Sequence, residues 1–256
     1  MAQGWKNPDD YDHTPRPVVA LGNDYPPSFE LDWHSHGKGQ LIYAASGVVV
    51  LSTPYGAWIA PPERAIWTPA NVPHSVHMVG AVSTRSVMLD ADAAASLGSD
   101  SVVISISPLL RQLLIAACDI PAEYDLGGRD AKLMDLLLAE LLAAPRAALS
   151  VPFPASPKLA RKCHAFLESP AIHDTIDDWA SELGMDRRAF TRLFRRETGL
   201  SFGAWRQQAS ILTALPRLAA GEAVTAVALD LGYASPAAFS TMFRRIVGTP
   251  PSRHVA

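Results

Sequence analysis

Short apolar runs with alternating polarity fill the chain between residues 28 and 90. Gly, Pro and Asn punctuate these runs, which read QLIYAASG, VVVLST, AWIAPP, RAIWTP, SVHMVG and TRSVMLD. Apolar positions at every second residue, interrupted by turn residues, are typical of short antiparallel strands. The pattern predicts a small β-barrel or sandwich, preceded by a Pro- and Asp-rich arm over residues 1–27.

A helical period replaces the alternation after residue 106. Residues 107–118 place leucines at helical spacing, and residues 129–143 carry a broad leucine stripe. We therefore divide the first half into a sensor domain (28–106) and a helical connecting segment (107–144), whose stripe is either domain core or a dimer interface. Residues 145–157 contain four prolines and no periodic pattern, which predicts an interdomain linker.

Residues 158–256 show only helical patterns and contain one motif twice. The copies read DDWASELGMDRRAFTRLFRRETG and TAVALDLGYASPAAFSTMFRRIVG. Eight residues of the first copy recur 48 or 49 positions later: Ala180, Leu183, Gly184, Phe190, Phe194, Arg195, Arg196 and Gly199. Eight identities in register indicate a duplicated structural unit.

Each copy predicts two helices joined by a short turn. The predicted helix starts are Asp174 or Thr175, Asp186 and Ser235. Gly184 and Gly232 supply a turn conformation that a β-carbon would oppose. Apolar residues before the turn should pack on Phe190 and Phe194. Such a crossed pair is a helix-turn-helix, whose second helix can enter the major groove of DNA.

A helix over residues 202–219 is predicted to join the two units, and Pro216 should kink or end it. At about 1.5 Å per residue it spans at most roughly 27 Å, close to the roughly 34 Å of one DNA turn. The two units could then enter successive major grooves.

Basic and hydroxyl side chains line the predicted outer face of the first recognition helix. The candidates are Arg187, Arg188, Thr191, Arg192 and Arg195. Such side chains bind phosphates and base edges. An ordinary solvated face explains one copy equally well, but duplication of the unit favours DNA binding.

The stretches AFTRLFRRETGLSFGAWRQQ and AVALDLGYASPAAFSTMFRRIVGTPPSR resemble the two-part DNA-binding domain of the AraC/XylS family of bacterial regulators. The resemblance implies binding to double-stranded promoter or operator DNA under the control of a small-molecule effector. RNA polymerase is a further candidate partner. A homodimer is expected because dimers read repeated sites.

The family's contact positions fall here on Arg188, Thr191 and Arg192, and in the second copy on Ala237, Ser240 and Thr241. Because these second-copy residues are small, we expect that half to contribute mainly phosphate contacts, through Arg244 and Arg245. Ser235, at the start of the second recognition helix, completes the candidates. The joining helix reads SILTAL where the family often carries arginines, so we expect few DNA contacts from it.

Four of the eight histidines, His34, His36, His74 and His77, lie within 44 residues. Residues two apart in a strand point to the same face, so His34 and His36 can converge on one centre. The stretches WHSHGKGQLIYAASG and TPANVPHSVH resemble the two cupin motifs, with Gln40 in place of the cupin glutamate. Two interpretations follow. Either His34, His36, His74 and Gln40 bind zinc, nickel or iron, or the site is vestigial inside an organic effector pocket.

Tyr43, Trp67 and His77 are the candidate effector-pocket residues. The run from His34 to Asp90, followed by SPLLRQLLIAA, resembles a cupin-type subgroup of AraC regulators, some of which control a neighbouring efflux transporter. The alternative is a metal-dependent cupin enzyme fused to a DNA-binding domain. Gln40 argues against it, because facial-triad enzymes need a carboxylate beside two histidines.

Charge separates the two halves of the chain. Residues 1–157 carry nine Lys/Arg against sixteen Asp/Glu, a net −7, and residues 158–256 carry thirteen against nine, a net +4. Only the second half is suited to bind a polyanion.

Without an apolar signal segment or a membrane-length run, we expect a cytoplasmic protein. The fold class is α+β with two domains: a cupin-like β-barrel with flanking helices, then an all-α domain with two helix-turn-helix units.

Overall fold

A computed structural model describes residues 5–147, 149–170 and 174–255. Within these residues the chain forms two compact units. The first comprises the residues up to Thr53 and Ile59–Ala147, and the second comprises Pro54–Trp58 and the residues from 149 onward. Residues 1–4 of the predicted arm, residue 148 of the predicted linker and residues 171–173 and 256 of the predicted DNA-binding domain lie outside the described residues.

An antiparallel sheet forms the body of the first unit. The strands of the chain are β1 (Val18–Tyr25), β2 (Glu30–His34), β3 (Gly39–Thr53), β4 (Gly56–Ala60), β5 (Arg64–Thr68), β6 (His74–Leu89), β7 (Val102–Ser105), β8 (Arg146–Ala147) and β9 (Ser150–Pro152). In the first unit the neighbours run β1, β6, β3, β5, β7, β8, and β2 also pairs with β6. The predicted α+β, two-domain class is confirmed.

The predicted arm over residues 1–27 is wrong at its C-terminal end, because Val18–Tyr25 is a strand of the sheet. β1 pairs with β6 along its length, from Val18 opposite Leu89 to Tyr25 opposite Val82. Its first four residues, VVAL, are all buried. A continuous apolar run without alternation suits a strand buried on both faces, and this is why the alternation pattern missed it.

β3 and β6 each unite two of the predicted runs. The pairing of β3 with β6 shifts register between Ala44 and Val48, around Gly47 with φ of +74°. A β-carbon at Gly47 would lie 2.6 Å from the carbonyl oxygen of Ala81. The glycine therefore marks a bulge inside a continuous strand and not the turn that its residue type suggested.

Helices cover one face of the sheet and build the second unit. They are α1 (Ala91–Ala94), α2 (Pro108–Ala117), α3 (Arg129–Ala143), α4 (Pro157–Glu168), α5 (Ile176–Glu182), α6 (Arg187–Thr198), α7 (Phe202–Ala219), α8 (Val224–Asp230) and α9 (Pro236–Val247), with 3₁₀ turns at Pro8–Tyr11 and Pro251–His254. None of the described helices has the length and hydropathy needed to cross a bilayer.

α2 and α3 belong to the core of the first unit. Leu110, Leu114 and Leu137 are buried against the sheet in one apolar cluster with Val87 and Leu89. The segment predicted to connect the domains therefore completes the first unit. α2 and α3 keep three exposed leucines, Leu109, Leu136 and Leu142, and Leu126 on the connection between them is exposed as well.

The predicted linker, residues 145–157, contains two short strands. β8 pairs with β7, and β9 pairs with Gly56–Trp58 in the second unit. The indole Nε1 of Trp205 donates to the carbonyl oxygen of Pro152 at 2.8 Å. Prolines are tolerated at edge positions because they lack only the N–H, so the proline content concealed strand pairing.

An aromatic cluster centres the second unit. Rings of Trp179, Phe190, Phe194, Phe202 and Trp205 lie with centroids 4.8–6.5 Å apart, mostly edge to face or tilted. Such pairs add stability beyond the area they bury. Pro216 does not end α7, one of the two outcomes predicted for it: the helix covers the predicted residues 202–219, and its last turn buries Leu215 and Leu218.

Both cysteines are free and buried. Burial raises the pKa of the Cys118 thiol to about 11 and that of the Cys163 thiol to about 12. They act as small apolar core residues, Cys118 in the first unit and Cys163 in α4.

Candidate functional sites

The two helix-turn-helix units are α5 with α6 and α8 with α9. The side chains of Thr175, Asp186 and Ser235 cap α5, α6 and α9, as predicted. Gly184 and Gly232 adopt φ of +67° and +71° in the two turns. This left-handed conformation lets a connection of only four or five residues join each first helix to the next, which crosses it.

α6 presents one polar stripe opposite its buried side. Phe190 and Phe194 are fully buried against α5 and α7. The exposed positions on the other side are Arg188, Thr191, Arg192 and Arg195. These residues follow the spacing i, i+3, i+4, i+7 and therefore form a single line along the helix.

The equivalent stripe of α9 is nearly uncharged. It consists of Ala237, Ser240, Thr241 and Arg244, exposed or half-buried. The hydroxyls of Thr191 and Thr241 donate to the carbonyl oxygens one turn earlier, at 2.7 and 2.9 Å. Their oxygen atoms keep lone pairs that can accept from a base amino group.

Two of the predicted DNA-binding arginines already have protein partners. Arg187 pairs with Asp177 of α5 at 2.8 Å, and Arg245 donates to Oε1 of Gln207 at 2.7 Å. Ser235 accepts from the backbone N–H of Ala238 at 3.2 Å as the cap of α9. These contacts orient the recognition helices on their supports, and DNA would compete for the two guanidinium groups.

The structure brings His34, His36 and His74 together in the first unit. One ring nitrogen from each lies within 4.8 Å of the others, and the ring centroids are 4.4–5.3 Å apart. His34 ends β2, His74 begins β6, and the two pair across the sheet. His36 follows on the connection to β3. Register therefore produces the cluster that the spacing predicted.

The Nδ1 atom of each histidine in the cluster is engaged. It lies 2.6 Å from Asp32 O in His34, 2.7 Å from Asp9 Oδ1 in His36 and 2.9 Å from Val72 O in His74. Because these partners only accept, each neutral ring carries its proton on Nδ1 and leaves Nε2 with a lone pair. Among the described residues, Nε2 of His36 and of His74 is buried without a hydrogen-bond partner.

Burial disfavours the protonated form of His74 in this cluster. Desolvation lowers the pKa of His74 to about 4, against the smaller opposing effect of its hydrogen bond to Val72, and the charges of His34 and His36 lower it a little further. His74 is therefore neutral at pH 7. A neutral imidazole with a free, inward Nε2 is the form that binds a metal.

Gln40 lies beside this cluster without joining the three-histidine group. It lines an internal cavity of about 20 Å³ together with His34 and Pro8, in the part of the chain that the structure describes. Its Oε1 is buried and lacks a partner among the described atoms. Room for about one water molecule remains there.

Tyr43 and Trp67, predicted as effector-pocket residues, are buried in the apolar core of the first unit. Both belong to the cluster between the sheet and α2 and α3, and the Trp67 ring leaves no room for a β-carbon at Gly39. Gln40 alternates with Leu41 and Tyr43 along β3 and so faces the other side. Aromatic residue type alone did not distinguish the two faces.

His77 does not line this cavity. It alternates with Val76 and Met78, which line the cavity, and its side chain is 42% exposed. His77 Nδ1 lies 3.0 Å from Glu30 Oε1, in an open surface groove of about 480 Å³.

Sequence reasoning missed the carboxylates of Asp9 and Asp12, which reach the histidine connection. Asp12 accepts from the backbone N–H of Gly37 and of Lys38 at 2.7 and 3.1 Å. The only signal was the Asp-rich composition of the arm, because 27 residues separate Asp9 from His36.

Comparison with known families agrees with this architecture. A family model for the AraC-like ligand binding domain matches residues 16–144, and a helix-turn-helix domain model matches residues 179–255. The first match spans the sheet with α2 and α3, and the second spans both helix-turn-helix units. Together they define a transcriptional regulator with an N-terminal ligand-binding domain that binds DNA through its second unit. The chain belongs to the AraC family, and the cupin-enzyme alternative is rejected.

Curated relatives include two bacterial regulators. The chain is 33% identical over 223 residues to the HTH-type transcriptional regulator NimR of Escherichia coli K12, covering 87% of this chain and 81% of NimR. It is 30% identical over 101 residues to the HTH-type transcriptional regulator RipA of Corynebacterium glutamicum, covering 40% of this chain and 30% of RipA.

Solved structures show weaker overall likeness. Fatty-acid-bound ToxT of Vibrio cholerae is 11% identical, with 93% of this chain and 94% of ToxT covered, at a TM-score of 0.39. The DNA-binding domain of AdpA, solved with a target DNA, is 30% identical, with 37% of this chain and 86% of that domain covered, at a TM-score of 0.35.

Proposed function

We propose that the two recognition helices read one DNA site unequally. α6 supplies base readout through Arg188, Thr191 and Arg192, with Arg195 toward the phosphates. α9 supplies mainly phosphate contacts, through Arg244, Arg245 and the hydroxyl of Ser235, while Ala237, Ser240 and Thr241 face the groove. The observation that carries this proposal is the pair of matched outward stripes, one arginine-rich and one nearly neutral. Guanidinium groups read guanine edges in two-point contacts, which small side chains cannot do.

Arg187 and Arg245 have a supporting part in this proposal. Each is held by a partner on another helix of the second unit, Asp177 or Gln207. A guanidinium group has five N–H donors, so one contact to protein leaves donors for a phosphate.

The first test is selection of DNA sites by the full chain from a random library. We expect a preferred site bound at least about 10³-fold more tightly than unrelated DNA. Arg188→Ala/Arg192→Ala should lose most of this preference. Lys132→Ala, an exposed charge on α3 in the first unit, is the matched control and should keep it. Uniform binding to all sequences by the parent chain would contradict the proposal.

A divalent metal is the second part of the proposal. His34, His36 and His74 would hold it through Nε2, and the fit rests on the two buried Nε2 atoms of His36 and His74, which lack partners among the described residues. Zinc, nickel and iron all suit imidazole ligands. Bound there, such an ion would act as a Lewis acid and a fixed positive charge. Gln40 is near enough to contribute only after side-chain movement, and it is a weaker, neutral ligand.

The matching measurement is the metal content of protein purified without a histidine tag or chelator. We expect near-stoichiometric metal in the parent chain and loss in His34→Ala/His36→Ala. Met78→Ala, which lines the adjacent cavity without offering an imidazole, is the control and should retain metal. Background metal in every sample would favour the vestigial site inside an organic effector pocket.

Regulation follows from placing effector and DNA sites on one chain. An effector or metal in the first unit would change DNA affinity by shifting an existing equilibrium.

The exposed Leu109, Leu136 and Leu142 on α2 and α3 support a homodimer through that face. A cytoplasmic location, contact with RNA polymerase and a neighbouring transporter gene as target complete the proposal. Identical DNA affinity with and without the true effector would contradict the regulatory part.

A further inference from the structure

Residues 5–16, here called the N-terminal segment, are fixed against the histidine cluster. Trp5 packs on the rings of Tyr25 and Phe29 at 5.1 and 4.2 Å. The Asn23 side chain bonds both the backbone N–H and the carbonyl oxygen of Lys6, each at 2.8 Å. One end of the segment is therefore attached to β1 and its neighbours.

The other end of the segment is held by charge-assisted hydrogen bonds around Lys38. Its ammonium donates to the carbonyl oxygens of Thr14 and Arg16 at 2.9 and 2.6 Å, and the residue is only 6% exposed. Asp12 accepts the two backbone N–H groups of the Gly37–Lys38 peptides. Hydrogen bonds in which one partner is charged are among the stronger ones. The segment therefore crosses directly over the connection that carries His36.

Asp9 lies between these anchors and contacts the cluster itself. Its Oδ1 is 2.7 Å from Nδ1 of His36, whose side chain is 2% exposed, whereas the Asp9 side chain is 56% exposed. Pro8, beside it, lines the cavity shared with Gln40 and His34. An aspartate behind the ligating histidine fixes the ring tautomer and makes Nε2 a stronger donor to a metal.

The charge of the cluster explains why this carboxylate matters. Three neutral imidazoles and Gln40 leave a divalent ion with its full positive charge in a buried place, which is costly without a nearby anion. Asp9 is the carboxylate that the structure places against a ring of the cluster.

We infer that Asp9 is a positioning residue for the metal, supplying through His36 the negative charge that Gln40 does not, and that metal binding and docking of the N-terminal segment therefore strengthen each other. The inference rests on the metal site proposed above. Because coupling free energies are reciprocal, metal protects the docked segment by the same factor by which docking raises metal affinity.

The test measures Zn²⁺ affinity of the full chain by competition with a chromophoric chelator, and exchange of backbone amides in residues 5–16 with and without Zn²⁺. Asp9→Asn should weaken Zn²⁺ binding by about 10- to 100-fold and abolish the effect of Zn²⁺ on amide exchange. Asp10→Asn, an exposed neighbour, is the matched control and should behave like the parent chain. Far-UV circular dichroism checks that each variant is folded.

Asp12→Asn separates docking from the direct contact with His36. It should loosen residues 5–16, although it leaves Asp9 intact. Zn²⁺ affinity should then fall by the factor by which docking of the segment raises it. Zn²⁺ affinity that is unchanged in Asp9→Asn, or kept in Asp12→Asn while the segment loosens, overturns the inference and leaves the metal site standing. A parent chain that binds Zn²⁺ no better than His34→Ala/His36→Ala overturns both.

Discussion

The two helix-turn-helix units share a frame and differ in surface. Both have a left-handed glycine in the turn, and both recognition helices end at a glycine in the same conformation, Gly199 and Gly248. Both bury two phenylalanines one turn apart. Their outer stripes carry three arginines in α6 and one in α9. The duplicated positions that stayed the same are those that the backbone and core require.

The supports of the two recognition helices differ as well. α5 begins with a capping box, in which Thr175 and Asp178 bond each other's backbone N–H groups, whereas α8 begins at Ala223 without a side-chain cap. Phe194 sits in a cluster with two tryptophans, whereas Phe243 packs against the rings of Phe239 and His254. The helix-turn-helix of α5 and α6 is therefore the better anchored and the more basic of the two, which suits a base-reading role.

The largest expected effect comes from the buried phenylalanines. Phe194→Ala and Phe243→Ala should each lower the free energy of unfolding by about 3–5 kcal/mol, since each leaves a cavity. Phe194→Ala should be the more severe, because its ring touches more aromatic partners. Urea unfolding of the helical signal by circular dichroism measures both. A larger loss at Phe243 would show that packing around α9, and not the aromatic cluster around Phe194, governs the stability of the second unit.

The next effect distinguishes the two stripes directly. Arg192→Ala should weaken binding at the selected DNA site by about 1–3 kcal/mol and relax base preference at one position. Thr241→Ala, at the equivalent position, should change affinity by less than about 0.5 kcal/mol. Fluorescence anisotropy on the selected site and on scrambled DNA measures both. Equal weakening on the two DNAs would make Arg192 only a phosphate contact.

Sequence alone predicted most of the second unit because its signals are local. The caps Thr175, Asp186 and Ser235 and the turn glycines each depend on a few neighbouring residues. The same holds for α3, whose predicted bounds are those observed. Pro216 does not end α7, because tertiary packing of the last turn outweighs a local helix breaker.

The first unit was less predictable because its features depend on distant pairing. β1 was missed because its continuous apolar run does not alternate, and the apolar character of both faces of β3 did not show on which side of the strand Tyr43 lies. The histidine cluster was foreseen from His-x-His spacing, which is local. Asp9 was not, since only the folded chain brings it to His36.

A smaller effect is expected from transferring charge between the stripes. Thr241→Arg places a guanidinium where α6 carries Arg192. Each added phosphate contact should steepen the dependence of log K on log salt by about 0.9. Ala116→Arg, on the exposed side of α2, adds the same charge elsewhere and should leave the slope unchanged. An unchanged slope for Thr241→Arg would mean that position 241 of α9 does not approach the DNA.

The smallest expected effect concerns the missing cap of α8. Ala223 already has the extended backbone of a cap residue, with φ of −65° and ψ of 135°. Ala223→Ser should therefore stabilise α8 by about 0.5–1 kcal/mol, and Thr175→Ala should destabilise α5 by a similar amount. Amide exchange in α5 and α8 measures each change locally. No gain from Ala223→Ser would show that fraying of α8 does not limit the second unit.

Acid should remove part of the difference in stability between α5 and α8. Hydrogen bonds from the hydroxyl and backbone N–H of Thr175 lower the pKa of Asp178 below its ordinary value. A carboxyl group with a depressed folded pKa contributes stability above its unfolded pKa and loses it as pH falls through the folded value. Amide protection of α5 should thus decrease below about pH 4. The serine cap of Ala223→Ser does not titrate, so its effect on α8 should persist there. Equal acid sensitivity of the two helices would show that the capping box does not account for the firmer anchoring of α5.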